Sequence, residues 1–205
     1  MLAFALLPAS YADPTWWDPL WLPTELFERL RPNPRSCRRL SGFLLRQAGL
    51  TAACPLEPDT PETRIALTPS AELDRSVFLA GLTLLSPIIA RVLRGADRSK
   101  IKAAIGQGDY EFAIRRGRLL LQQARLNEAV PPASVADFDV LAEQCWTLGT
   151  SALATALKNA PHPVTRRTQF KLRKGLVDDS WLPVAEQHDP FVKLFELLRP
   201  QARPA

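Results

Sequence analysis

Side chains that carry catalysis or bind metals are scarce in this chain. Two histidines and three cysteines in 205 residues leave few ways to build a metal centre or a nucleophilic site. His162 lies in a proline-bracketed turn, "NAPHPV", and His188 just before a helix start, "EQHDP". Neither stands at ligand spacing from another histidine, cysteine or carboxylate, so both read as surface or capping residues. Cys37, Cys54 and Cys145 are odd in number and unpaired in spacing, which suits a reducing compartment. Gly106-Gln107-Gly108 is not a phosphate loop: the third glycine of a dinucleotide fingerprint is replaced by Glu111, no strand precedes it, and no P-loop lysine pattern exists. It reads as a turn between helices. Asp137, Asp139 and Glu143 are spaced so that they do not share one helix face, and Asp178-Asp179 reads as a loop pair. These absences leave no cofactor, no metal and no enzymatic reaction to assign.

Long apolar runs are absent too. The chain opens "MLAFALLPASYADP", where Ser10-Tyr11-Ala12 imitates a secretory cleavage site. A signal peptide needs a basic start and an apolar stretch of roughly 7–15 residues. Here nothing before Arg29 is basic, and the run from Leu2 to Leu7 stops at Pro8. That is also far short of the ~20 residues of a membrane span. The expectation is a retained N-terminus, with Leu2, Phe4 and Leu7 packed onto the fold.

What the chain has in excess is proline. Nineteen prolines are about twice the usual share of roughly 5%. Several follow a polar residue at a helix start, where a missing N–H costs nothing. Asn33-Pro34 opens "NPRSCRRLSGFLLRQAG", with Cys37, Leu40, Leu44 and Ala48 on one face and Gly49 as a C-terminal cap. Thr68-Pro69, Ser86-Pro87 and Asp189-Pro190 are expected to open three more helices, the second closed by Gly95 and the last apolar at Phe191, Leu194, Phe195 and Leu198. Thr24 starts a short helix, Asp97 or Ser99 starts one that ends at Gly106, and Asp109 is expected to cap "DYEFAIRR". Ser134 with Asp137 forms a capping box before a long helical period, Val135 to Ala156. Residues 51–66 read as a proline-rich acidic loop and 200–205 as a frayed tail. "RIALT" and "QFKLR" alternate too briefly to establish strands, and 169–174 is left open between helix and strand. The expected architecture is all-α: one compact domain spanning 1–205, of about eight helices with proline-marked turns, entered by an N-terminal arm over 1–23.

Charge is mildly basic, net +5, and clustered. The groups are Arg35, Arg38, Arg39 and Arg46; Arg91, Arg94, Arg98, Lys100 and Lys102; Arg115, Arg116, Arg118 and Arg125; and Arg166, Arg167, Lys171, Arg173 and Lys174. They read as solvated helix faces or as docking sites for an acidic protein. Nucleic acid is not expected, because no stacking platform is interleaved with them. "TWWDPLWLP" holds Trp16, Trp17 and Trp21 in a segment broken by proline. These three either anchor the arm in the core or form a partner-binding patch.

"FALLPASY", "LDRSVFLAGLTLLSPIIARVLRGADRSKIKAAIGQGDYEFAIRR" and "SWLP" together resemble the SctK family (YscK, PscK) of type III secretion accessory proteins. Pro8-Ala9-Ser10-Tyr11 matches the family's apolar start followed by proline, small residues and tyrosine. The resemblance implies a helical, non-enzymatic cytoplasmic protein of the sorting platform, at the inner-membrane face of the injectisome. It implies two partners, the cytoplasmic domain of the ring protein SctD and the pod protein SctQ. Through SctQ it implies SctL and the ATPase SctN, with the membrane met only through the ring. Arg115, Arg116 and Arg118, with Trp16, Trp17 and Trp21, are the candidate partner-binding residues. The alternatives are a helical secretion chaperone or regulator, and a small nucleic-acid-binding protein.

Overall fold

The computed structural model describes residues 1–17, 21–51, 53–57, 59–126 and 138–202, and among them every regular element is helical. In chain order the helices are α1 (Leu2–Leu6), α2 (Thr24–Leu30), α3 (Pro34–Gln47), α4 (Pro61–Ala66), α5 (Ser70–Ile89) and α6 (Gly95–Ile105). They continue with α7 (Gln107–Phe112), α8 (Arg118–Gln123), α9 (Leu141–Ala156), α10 (His162–Gln169), α11 (Lys174–Ser180) and α12 (Asp189–Leu198). Short 3-10 turns stand at Pro8–Ser10 and Pro14–Trp16, and a π-turn at Ala113–Gly117 joins α7 to α8. The chain divides into two compact units, Met1–Asp74 with Asn159–Asp179, and Arg75–Lys158 with Ser180–Ala205.

In the first unit, α3 begins and ends as its sequence demands. The Asn33 side-chain oxygen accepts from the N–H groups of Arg35 and Ser36, and Pro34 takes the first helical position. At the other end Gly49 adopts φ +65°, its N–H reaches Arg46 O, and the Leu50 N–H reaches Leu45 O. This pair of bonds closes a Schellman motif, which requires the left-handed conformation glycine adopts freely. Cys37, Leu40 and Leu44 are buried.

The N-terminal arm packs onto this helix. Pro8 starts a turn that places Ala9, fully buried, with its N–H on Ser41 Oγ at 3.1 Å. Tyr11 stacks on Phe4 with centroids 5.6 Å apart and donates its hydroxyl to Phe4 O at 2.8 Å. Leu7 is half-buried, but Leu2 is 77% exposed: two residues apart in a helix, Leu2 and Phe4 point to opposite sides. Farther on, the Asp13 N–H reaches Phe170 O, and Trp16 Nε1 donates to Leu172 O at 2.8 Å.

Three further expectations fail in this unit. Asp178-Asp179, read as a loop pair, lies inside α11. Residues 61–66, read as loop, are helix α4, because Thr60-Pro61 is itself a cap-proline start: Thr60 Oγ1 accepts from the Thr63 N–H. The basic group around 166–174 does not simply coat a solvated face. Arg167 is fully buried and bonds three carbonyl oxygens, of Ala5, Thr51 and Pro163, at 2.7–3.1 Å. Lys171 is 6% exposed; its ammonium bonds Ala66 O and Thr68 O and lies 5.0 and 5.4 Å from the ring centroids of Phe4 and Tyr11. Carbonyls and ring faces stand in for water around both cations. The open segment 169–174 is the end of α10, a turn and the start of α11.

In the second unit, α5 and α9 cross with their backbones in contact. A Cβ on Gly81 would lie 1.8 Å from Cys145 O, and one on Gly149 would lie 1.9 Å from Val77 O. Only glycine permits either approach. α12 packs on α9 and α8 with Phe191, Leu194, Phe195 and Leu198 buried, and α6 packs on α9. Gln201 N–H reaches Leu198 O and Ala202 is buried, so the tail is held to that point; 203–205 lie outside the described residues.

Ser86-Pro87 does not open a helix. α5 runs through it to Ile89, and Gly95 begins α6 rather than closing a helix. Pro87 falls in the last turn, where it removes a single backbone bond, and the fully buried Leu85 and Ile89 stand on either side of it. Asp109 is not a cap either. It sits inside α7, where both carboxylate oxygens accept from the Arg75 guanidinium, and this pairing raises the Arg75 pKa. α9 is helical from Leu141, and Phe138 lies in the turn before it; the Ser134–Asp137 capping box falls outside the described residues.

Candidate functional site

Among the described residues, no three histidine, cysteine or acidic side chains gather as a metal ion would need. The Cys145 thiol is pushed up to about 12 by burial and by nearby Asp109, the opposite of an activated nucleophile. Burial raises the Cys54 thiol likewise. His162 is exposed at the first position of α10, and His188 Nε2 lies 3.1 Å from an Asp189 oxygen. Gly106, at φ +88°, makes the turn between α6 and α7.

The sites worth weighing are therefore surfaces. Gly117 ends the π-turn, and a Cβ on it would lie 2.4 Å from the Ser86 Cβ, so this backbone is pressed against α5. Ala113 is buried as well, while Ile114, Arg115 and Arg116 face outward. In a turn closed from i to i+5, residues five apart take the stacked positions that i and i+4 hold in an α-helix. Ile114 and Leu119 have that spacing and are 38% and 51% exposed. Arg115, Arg116 and Arg118 are exposed around them. From Phe112 to Leu126 the chain has no acidic residue, and among the described residues none of the three arginines has an ion-pair partner. Arg116 donates to the side-chain oxygen of Gln201. The face is thus an apolar pair set in unneutralised positive charge.

The tryptophans separate. Trp16 is buried, with its N–H on Leu172 O and its ring edge-on to Phe170 at 5.0 Å. Trp17 is 4% exposed. Trp21 is 57% exposed and stacks on Phe43 at 4.6 Å. Ile114, Leu119 and Phe43 are the surface residues that sequence reasoning passed over. The first two lacked a signal because the π-turn shifts the helical phase by one residue.

A family model described as YOP proteins translocation protein K (YscK) matches residues 2–203. The chain belongs to the YscK family. None of the curated proteins and none of the solved structures compared with it matches. Membership makes this a type III secretion protein, of an accessory or structural family rather than an enzyme family. In this YscK-family chain the Pro8-Ala9-Ser10-Tyr11 stretch has a structural purpose: it sets the arm against α3 through the buried Ala9 and ties Tyr11 back to α1. Among the described residues no helix is long and apolar enough to cross a membrane.

Proposed function

We propose that this YscK-family protein is a non-enzymatic cytosolic adaptor of the injectisome sorting platform. In this reading it links the cytoplasmic domain of the ring protein SctD to the pod protein SctQ, and through SctQ to SctL and the ATPase SctN. Assembly of the platform and effector secretion then depend on it. The family match supplies the secretion system. The observation that carries the docking role is the exposed face of Arg115, Arg116 and Arg118 around Ile114 and Leu119. Unneutralised guanidinium groups beside exposed apolar side chains suit a rim and core awaiting an acidic partner. The absence of an acidic residue between Phe112 and Leu126 keeps that charge from being cancelled locally.

The test is charge reversal at all three arginines to Glu. Like charges opposed across an interface cost several kcal/mol, whereas exposed substitutions shift stability by about 0.5 kcal/mol or less. Binding to purified SctD cytoplasmic domain or to SctQ should fall with an unchanged melting curve. Unchanged binding to both removes this face from the adaptor. Lost binding with a collapsed melting curve makes the arginines structural.

A further inference from the structure

We propose that the exposed indole of Trp21, with Phe43 and the arginines Arg39 and Arg46, docks an acidic segment of a partner protein that inserts an aromatic or aliphatic side chain between its carboxylates. This site lies wholly in the first unit, and the proposal rests neither on the Arg115 face nor on SctD or SctQ as partners.

The apolar part is a stack that begins inside and ends in solvent. Trp17 packs on Phe27 at 5.2 Å and on Phe43 at 5.9 Å. Phe43 and Trp17 lie 4.6 and 6.2 Å from Trp21, each nearly parallel to it. Trp21 alone of the stack is exposed. A rigid aromatic surface backed by a packed core is the form interface hot spots take, and an indole is costly to leave in water without a use.

The charge on α3 states what the partner carries. Arg39 lies one turn before Phe43 and Arg46 just under one turn after it, so both share its face, and both are exposed. α3 holds two further arginines, Arg35 and Arg38, and no acidic residue. Among the described residues, neither Arg39 nor Arg46 has an ion-pair partner. A segment with carboxylates on either side of an apolar anchor meets both features at once. Inside the stack, the buried Trp17 Nε1 has no acceptor among the described residues.

The probe is a phage-displayed library of random peptides of about twelve residues, long enough for an extended docking motif, selected on the full chain. Enriched sequences should place Asp or Glu on both sides of Trp, Phe or Leu, and a synthetic copy should change the tryptophan fluorescence. Trp21→Ala should weaken that peptide at least about tenfold, as a hot-spot truncation does. Arg39→Gln with Arg46→Gln should weaken it and flatten its salt dependence, while reversal of Arg115, Arg116 and Arg118 leaves it unchanged. Melting curves accompany each variant, and the exposed arginine pair carries the test if Trp21→Ala fails to fold. Enrichment without acidic bias, no enrichment, or equal binding to the arginine pair variant overturns the proposal. So does tighter binding of oligothymidylate than of any acidic peptide, which would make the stack a base-stacking platform.

Discussion

Gly81→Ala tests the backbone crossing at the centre of the second unit. The new Cβ would lie 1.8 Å from Cys145 O, 2.6 Å from Cys145 C and 2.8 Å from Cys145 Cα. All three are backbone atoms within α9, so no side chain can swing away. Contacts under 3.0 Å are essentially never made by a real Cβ, so the helices must part by about 1 Å or more. A gap of 0.5–1 Å forfeits about a quarter to a half of each dispersion contact it opens. The second unit has many to lose, since Leu82, Leu85 and Leu153 are fully buried. Overpacking of this kind costs about 1–3 kcal/mol and occasionally more. Alanine returns about 1 kcal/mol through helix propensity. With a clash this deep, a net loss of about 2 kcal/mol is expected, a fall in Tm of roughly 4–8 °C for a chain of this size. Gly149→Ala should behave alike, with its Cβ 1.9 Å from Val77 O. Gly175→Ala is the control, because α11 offers that Cβ open space and the propensity gain stands alone. Thermal and denaturant unfolding followed by circular dichroism measure all three. A Gly81→Ala protein as stable as Gly175→Ala would refute the close crossing.

Two further outcomes follow from the first unit. Burial pushes the Lys171 amine down from an ordinary 10.5 to about 7, although two carbonyls and two ring faces favour the ammonium. The unfolded chain therefore holds a proton that the folded chain sheds, and stability should rise with pH above about 7, by up to about 1.4 kcal/mol per unit. Denaturant titrations between about pH 7 and 8, below the ordinary cysteine value of about 8.5, should show that slope in the wild type and lose it in Lys171→Met; equal slopes refute it. Asn33→Ala removes the side-chain acceptor at the start of α3 and should cost about 1 kcal/mol. An unchanged denaturation midpoint would mean that packing alone sets that helix start.

How far the fold was legible depends on which force decided each element. Asn33-Pro34 could be read because cap, proline and Gly49 are local chemistry and nothing tertiary opposes them. Ser86-Pro87 carries the same dipeptide signal, yet α5 passes through it, because packing around the buried Leu85 and Ile89 outweighs one lost bond. Thr60-Pro61 was hidden by the prolines before it, which drew the whole stretch into a loop. The buried cations had a readable signal: Val164, Arg167, Thr168 and Lys171 stand at i, i+3, i+4 and i+7, the core positions of a helix. Charge argued against burial there, and carbonyls distant in sequence, of Ala5, Thr51, Ala66 and Thr68, reverse that argument. Of the candidate site, the acid-free arginine run is visible in the sequence, but the π-turn that sets the phase of Ile114 and Leu119 is not.

The chain uses its positive charge in two opposed ways. Arg167 and Lys171 bond five carbonyl oxygens inside the first unit, where they hold the N-terminal arm and the end of α4 together. Replacing either would leave buried acceptors unmet, so those positions answer to stability. Among the described residues, the guanidinium groups of Arg115 and Arg118 bond no carbonyl and no carboxylate, and that of Arg116 bonds the side-chain amide oxygen of Gln201 and no carboxylate. They contribute nothing to the fold that a neutral polar residue would not, and they add repulsion to a chain already at +5. A surface that is electrostatically unfavourable in the free protein becomes favourable when an acidic surface is laid against it. That difference, more than the number of arginines, separates the cations that build this protein from those that point to a partner.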